Sequence, residues 1–156
     1  MERNLILLVF VVASFSDVDS YKECPEFFTN FPNSRSCIKF LLGPNDFKGY
    51  ESECSRFDAT LASIHSEEQN DFVRDLSLYF GNYTLNIVIG AKAENSRFEW
   101  LDGSAFNYSD WEDKQPRDAH KCVYMNGFNK QDKMGKWDSF DCSEKLVSAL
   151  CKIQLT

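Results

Sequence analysis

Six cysteines, Cys24, Cys37, Cys54, Cys122, Cys142 and Cys151, constrain this chain more than any other feature of its sequence. All six follow an N-terminal stretch that reads as an export signal. Arg3 supplies a positive charge, an apolar run extends from Leu5 to Phe15, and small residues stand at Ser14, Ser16 and Ser20. That order is the pattern of a secretory leader. The apolar run is shorter than the roughly 20 residues a bilayer span needs, which disfavours a retained anchor. Residues 1–20 are therefore expected to be a signal peptide, with cleavage fitting either Ser16 or Ser20. Residues 21–156 are expected to be one secreted, extracellular domain without membrane insertion. An even number of cysteines in an exported chain reads as three disulfides, and spacing alone leaves their connectivity open. Zinc fits less well, because no CxxC pair is present and His65 and His120 stand alone.

The formal net charge is −7, of which the leader contributes −2 through Glu2, Arg3, Asp17 and Asp19. An acidic remainder argues against nucleic acid as a partner, because phosphate backbones reward clustered Lys and Arg. No repeat and no linker rich in Pro, Gly or Ser divides the chain, so one core is expected.

Residues 36–42 read as a strand broken by Gly43-Pro44-Asn45. Phe47, Tyr50, Cys54, Phe57 and Leu61 then recur at steps of three and four, the apolar stripe of an amphipathic helix beginning near Asp46. A second helix is expected from Ser66. Ser66 and Gln69 have capping-box spacing, Glu67 and Glu68 suit the first turn, and Phe72, Val73 and Leu76 form the inner face. Residues 86–91, 98–101, 121–126, 135–138 and 146–153 are strand candidates. Between them, residues 102–120 read as a long loop with its own aromatic anchors at Phe106, Tyr108 and Trp111, a combination typical of a folded, functional loop. The whole is an α+β pattern.

Several segments together resemble the C-type lectin-like domain family in its long form. Cys24-Pro25 with Phe27, Phe28 and Ser36-Cys37-Ile38-Lys39-Phe40 looks like its N-terminal hairpin. Leu61-Ala62-Ser63-Ile64-His65-Ser66, with Asn70 and Phe72-Val73, looks like its link into the second helix, which points to a packing or hydrogen-bonding role for His65. Ile89-Gly90 matches a strand ending in Gly, although Val88 stands where tryptophan is usual. Trp100-Leu101-Asp102-Gly103-Ser104 matches the entry to the long loop, and Gly135-Lys136-Trp137-Asp138, Cys142 and Ala149-Leu150-Cys151-Lys152 match the end of the domain. The resemblance covers residues 24–152. It implies two helices, short antiparallel sheets, a long loop region and three bridges: Cys24–Cys37, Cys54–Cys151 and Cys122–Cys142.

The resemblance also implies where a ligand would sit. Sugar-binding members hold a calcium ion through side-chain oxygens of a Glu-Pro-Asn or Gln-Pro-Asp triplet, a Glu before the next cysteine, and a Trp-Asn-Asp triplet. The matching positions here are Gln115-Pro116-Arg117, His120, and Trp137-Asp138-Ser139. Arg117 brings a permanent cation, a neutral imidazole is a poor calcium ligand, and Ser139 offers only a hydroxyl. The expected binding face is thus the family position in degenerate form: Gln115, Arg117, Asp118, His120, Asp138 and Ser139. No calcium is expected there; if a site survives, Gln115, Asp118 and Asp138 would supply it. Asn82-Tyr83-Thr84 and Asn107-Tyr108-Ser109 are N-glycosylation sequons.

The function implied is recognition of a carbohydrate or glycoprotein surface, with a place in innate defence resting on family analogy alone. A calcium-independent protein–protein subunit is the alternative, and the sequence leaves the oligomeric state open. A small secreted hydrolase is disfavoured: there is no nucleophile elbow and no HExxH, and the adjacent Glu112 and Asp113 read as solvated loop charge.

Overall fold

The computed structural model describes residues 23–81, 86–95, 97–127 and 131–156. The expected signal peptide and the Asn82 sequon lie outside the described residues. The elements run β1 (Thr29–Phe31), β2 (Ser36–Asn45), α1 (Phe47–Ser55), β3 (Thr60–Leu61), α2 (Glu67–Phe80), β4 (Asn86–Glu94), β5 (Arg97–Trp100), β6 (Cys122–Asn126), a short 3-10 turn (Gln131–Lys133), β7 (Trp137–Phe140) and β8 (Leu146–Gln154). This is the α+β arrangement expected. The strands form a single path, β1-β2-β8-β4-β6-β7, with β3 added to β8 and β5 to β4. Pairing between these strands is antiparallel except between β4 and β8, which run parallel through Ile87↔Ser148 and Val88↔Ala149.

Both helices begin where their caps require. The Asp46 carboxylate accepts the Gly49 N–H at 2.7 Å, and Ser66 Oγ accepts the Gln69 N–H at 3.2 Å. The Gln69 side chain returns one residue earlier than a capping box demands, taking the His65 N–H at 2.9 Å. Glu67 and Glu68 then lie in the positive first turn of α2.

Two expectations fail for long-range reasons. β2 does not stop at Gly43: it continues to Asn45 across a register shift between Leu42 and Asn45, with Gly43 at φ 120°. α1 stops at Ser55 although the apolar stripe continues to Phe57 and Leu61. Leu61 instead pairs with Cys151 in β8, and Phe57 remains 41% exposed.

The disulfides are Cys24–Cys37, Cys54–Cys151 and Cys122–Cys142, and no described cysteine is free. Cys54–Cys151 joins α1 to β8 across 97 residues, which stabilises by about 4–5 kcal/mol if chain entropy dominates. Cys122–Cys142 closes 20 residues around β6 and β7 for about 3 kcal/mol.

The core falls into two clusters, one built on Ile64, Val73, Ile87, Ile89, Trp100 and Trp137, the other on Phe47, Tyr50, Leu61, Val88 and Phe140. Gly90 lets the link into α2 approach β4. Its N–H donates to Ala62 O at 2.8 Å, and a Cβ there would lie 2.3 Å from Leu61 O. Val88 is fully buried in the second cluster, so the missing tryptophan is replaced by a smaller core residue.

Candidate functional site

The long loop is fastened to β7 before it reaches the candidate site. Trp137 is fully buried, ringed by Trp100, Phe106, Tyr108 and Trp111 with centroids 5.7–6.3 Å away. Its indole N–H donates to Asn70 Oδ1 at 2.8 Å. The Asn70 amide in turn donates to Gly135 O at 3.0 Å and to Asp110 Oδ2 at 3.2 Å. On the backbone, Trp137 N–H donates to Asp110 O and Glu112 N–H donates to Trp137 O, so residues 110–112 lie along β7 as a short bridged strand. Ion pairs Lys133–Glu112 at 3.0 Å and Lys136–Asp110 at 2.5 Å flank this seam, although exposed pairs of this kind add little. Burial, then the nearby carboxylate of Asp110, push the Tyr108 phenol up to about 12.

The loop next delivers Gln115, which precedes Pro116 through a cis peptide bond. The Gln115 side chain turns inward. Its Oε1 accepts from Ser139 N at 3.1 Å and from Ser139 Oγ at 2.8 Å. Ser139 Oγ also accepts the Arg117 N–H at 2.8 Å. The Ser139 carbonyl faces His120 Nδ1 at 2.8 Å, a contact that requires the Nδ1–H tautomer or the imidazolium. Ser139, only 4% exposed, is thus the hub of a closed ring that ties residues 115–120 to β7.

Asp138 beside it is 8% exposed and accepts the Tyr124 hydroxyl on Oδ2 at 3.0 Å. Burial raises the Tyr124 pKa, and the Asp138 charge raises it further, while Arg117 acts on the same phenol in the opposite sense. Tyr124 therefore stays a neutral donor across the physiological range. Asp118 and the Arg117 side chain are exposed. Asp141 is engaged locally: its carboxylate takes the Ser143 N–H at 2.9 Å and hydroxyl at 2.8 Å, which lowers its pKa, with His120 adding to the effect.

The six residues singled out in the sequence therefore occupy one face, but in two roles. Gln115, His120 and Ser139 bond to one another's surroundings, and Asp138 bonds to Tyr124. Arg117 and Asp118 are the side chains left pointing outward. Sequence reasoning missed Tyr124, which has no signal beyond its alternate position on β6, and it named Asn70 only as part of the link into α2, without the bond to Trp137 that spans 67 residues.

This donor set does not fit a calcium ion. Calcium takes six to eight oxygens, several charged. Here one matching position carries a guanidinium, the Gln115 oxygen accepts two hydrogen bonds already, and the Ser139 hydroxyl is used in both directions. Among the described residues no group of three His, Cys, Asp or Glu side chains is arranged to hold a metal.

Ser63, His65 and Asp102 also meet, but not as a catalytic set: Ser63 is fully buried and its hydroxyl is committed within the protein. No helix among the described residues is long and apolar enough to cross a membrane.

Comparison with known proteins agrees with this fold. The model of the lectin C-type domain matches residues 44–153. The human low affinity immunoglobulin epsilon Fc receptor is 30% identical over 131 residues, which cover 82% of this chain but only 37% of the receptor. The galactose-specific lectin nattectin of Thalassophryne nattereri is 31% identical over 99 residues, 62% of this chain and 60% of that lectin. Among solved structures, the cow C-type carbohydrate-recognition domain of CD23, crystallised in the presence of a GlcNAc2Man3 oligosaccharide, has a TM-score of 0.72 at 27% identity. That alignment covers 86% of this chain and 98% of that one. A calcium-independent type II antifreeze protein shares the fold, with a TM-score of 0.71 at 22% identity over 85% and 95% of the two chains. With the family model spanning most of the sequence, the chain belongs to the C-type lectin domain family, whose members here are binding proteins rather than enzymes.

Proposed function

We propose that this chain is a secreted recognition domain that binds a carbohydrate or glycoprotein ligand without a calcium ion. The observation that carries the reading is the ring Gln115–Ser139–Arg117. Calcium-dependent recognition needs side-chain oxygens turned outward here, and those of Gln115 and Ser139 turn inward, bonding to each other and to the Arg117 backbone N–H. What remains presented is a preformed surface: the outward side chains of Arg117 and Asp118 on a loop pinned through Trp137. Preorganisation of this kind lowers the ordering cost of binding. The carbohydrate part of the reading draws support from one relative named as a galactose-specific lectin and one structure named as a carbohydrate-recognition domain, and secretion draws it from the leader-like N-terminus and the three disulfides. Asn107, exposed at the start of the long loop, is proposed as a glycan acceptor.

A glycan array probed with the disulfide-bonded protein, with and without chelator, tests this. Binding to a defined glycan set that survives chelation and is reduced by Arg117→Ala is the expected result. Binding that vanishes with chelator would overturn calcium independence. An array with no binding above background, alongside saturable binding to a protein surface, would overturn the carbohydrate assignment and favour a protein–protein subunit.

A further inference from the structure

The charges on and around the candidate face are not all spent within the protein. Arg74, Lys133 and Lys136 each stand in an ion pair, and Lys152, 8% exposed, pairs with Asp102 at 3.0 Å. Among the described residues the exposed Arg117 guanidinium stands in none. Other surface cations are unpaired too, and what sets Arg117 apart is its backbone. Its N–H donates to Ser139 Oγ at 2.8 Å, and its carbonyl accepts the His120 N–H at 3.0 Å. The His120 ring is in turn held on the Ser139 carbonyl at 2.8 Å. Ser139 is 4% exposed within β7, so the root of the arginine is fixed to the sheet while its head stands in solvent. The guanidinium charge also reaches the Tyr124 phenol, the donor to Asp138.

A guanidinium presents a planar fork of N–H donors that matches two oxygens of one oxyanion. Fixing its root lowers the ordering cost of using that fork. The surrounding charge sets a second limit. Over residues 113–121 and 138–145, Lys114, Arg117, Lys121 and Lys145 are opposed by Asp113, Asp118, Asp138, Asp141 and Glu144, four cations against five anions. The whole chain carries −7. The face thus offers one fixed cation inside a field that is not positive, and such a field repels a polyanion. Asp118 stands exposed next to Arg117, and an ionised carboxylate only accepts hydrogen bonds, which suits sugar hydroxyls. Resting on the calcium-independent glycan reading above, we propose that this face selects a singly charged acidic saccharide: Arg117 grips its one oxyanion, and Asp118 takes hydroxyls beside it. A carboxylate and a sulfate share this chemistry, since each presents a pair of oxygens to the fork.

The test sets carboxylated glycans, singly sulfated glycans and their neutral counterparts against the intact disulfide-bonded protein in chelator, with heparin as a competing polyanion. Acidic glycans should bind about tenfold or more tighter than their neutral counterparts, the usual gain for hydrogen bonds to a charged group. A gain for carboxylates alone, or for sulfates alone, identifies the source of the oxyanion. The gain should shrink at high salt, and heparin should not compete. Methyl-esterifying the carboxylate should remove the gain with no change to the protein. Arg117→Gln should cancel the preference, and Arg117→Lys should keep only part of it, because the charge stays and the fork is lost. Equal binding of acidic and neutral counterparts, a preference that survives Arg117→Gln, or tightest binding to heparin would overturn the proposal and leave calcium-independent glycan binding standing. Binding that requires calcium, or no glycan bound at all, would overturn that reading and the proposal with it.

Discussion

Replacing Asn70 by Ala should be among the most damaging single changes outside the disulfides. Asn70 is 2% exposed and holds three groups at once: it accepts from the Trp137 indole and donates to Gly135 O and Asp110 Oδ2. Alanine leaves the buried indole N–H and the Gly135 carbonyl without this partner. Each orphaned group costs about 1–3 kcal/mol, and the expected total is about 3–4 kcal/mol. For a domain of this size that corresponds to a fall of roughly 10–15 °C in the melting temperature. Urea denaturation of the oxidised protein, followed by tryptophan fluorescence, reads the effect directly. Asn70→Asp is the control that separates hydrogen bonding from volume. It keeps an acceptor for the indole but sets a carboxylate beside Asp110 and the Gly135 carbonyl, so it should recover little. A loss below about 1 kcal/mol in Asn70→Ala would refute the claim that this side chain fastens the loop to β7.

Three further outcomes are expected. Ser139→Ala removes the acceptor for the Arg117 N–H and one donor to Gln115, and should cost about 1–2 kcal/mol by urea denaturation while increasing hydrogen exchange across residues 115–120. Asp102→Asn leaves Lys152 buried beside a neutral amide, at about 3 kcal/mol near neutral pH. Burial alone would raise the Asp102 pKa, but hydrogen bonds from Ser104, Ser63 and Lys152 prevail and hold it well below 3.8, so wild-type stability should fall as pH drops below that value while the variant's profile is flatter there. The protein made in a secretory host should lose mass on enzymatic deglycosylation, and Asn107→Gln should reduce that loss, because Asn107 is exposed and so open to modification.

Much of the fold was legible because its signals are local or covalent. Asp46 and Ser66 cap the helices at the expected positions, and the three bridges implied by the family resemblance are those formed. The failures arise where a distant partner overrides a local pattern. The stripe from Phe47 to Leu61 looks like one helix, yet Cys54 is tied to Cys151 and the chain turns at Arg56–Asp58, with Asp58 at φ 55°, so that Leu61 can pair with β8. Gly43-Pro44 looks like a stop but is a bulge inside β2, held because the Tyr50 hydroxyl lies 2.6 Å from the carbonyls of both Gly43 and Leu146. At the candidate site, the substitutions at Arg117, His120 and Ser139 were readable one by one. Their consequence was not, because Ser139 is joined to Gln115 across 24 residues and no periodicity encodes which way the Gln115 amide turns. The bond from Tyr124 and the partners of His65, whose packing and hydrogen-bonding role was expected, were invisible for the same reason: each joins side chains from separate elements.

The central claim is that Gln115, Arg117 and Ser139 close the calcium position with their own hydrogen bonds. Isothermal titration calorimetry of calcium into the disulfide-bonded protein tests it most directly, paired with the variant Arg117→Asp, His120→Glu, Ser139→Asp. The wild type should show no binding tighter than about millimolar, the weak end of calcium sites, and the triple variant should gain affinity because it breaks the ring and restores charged oxygens. A wild-type dissociation constant in the micromolar range, abolished by Asp138→Ala, would contradict the account.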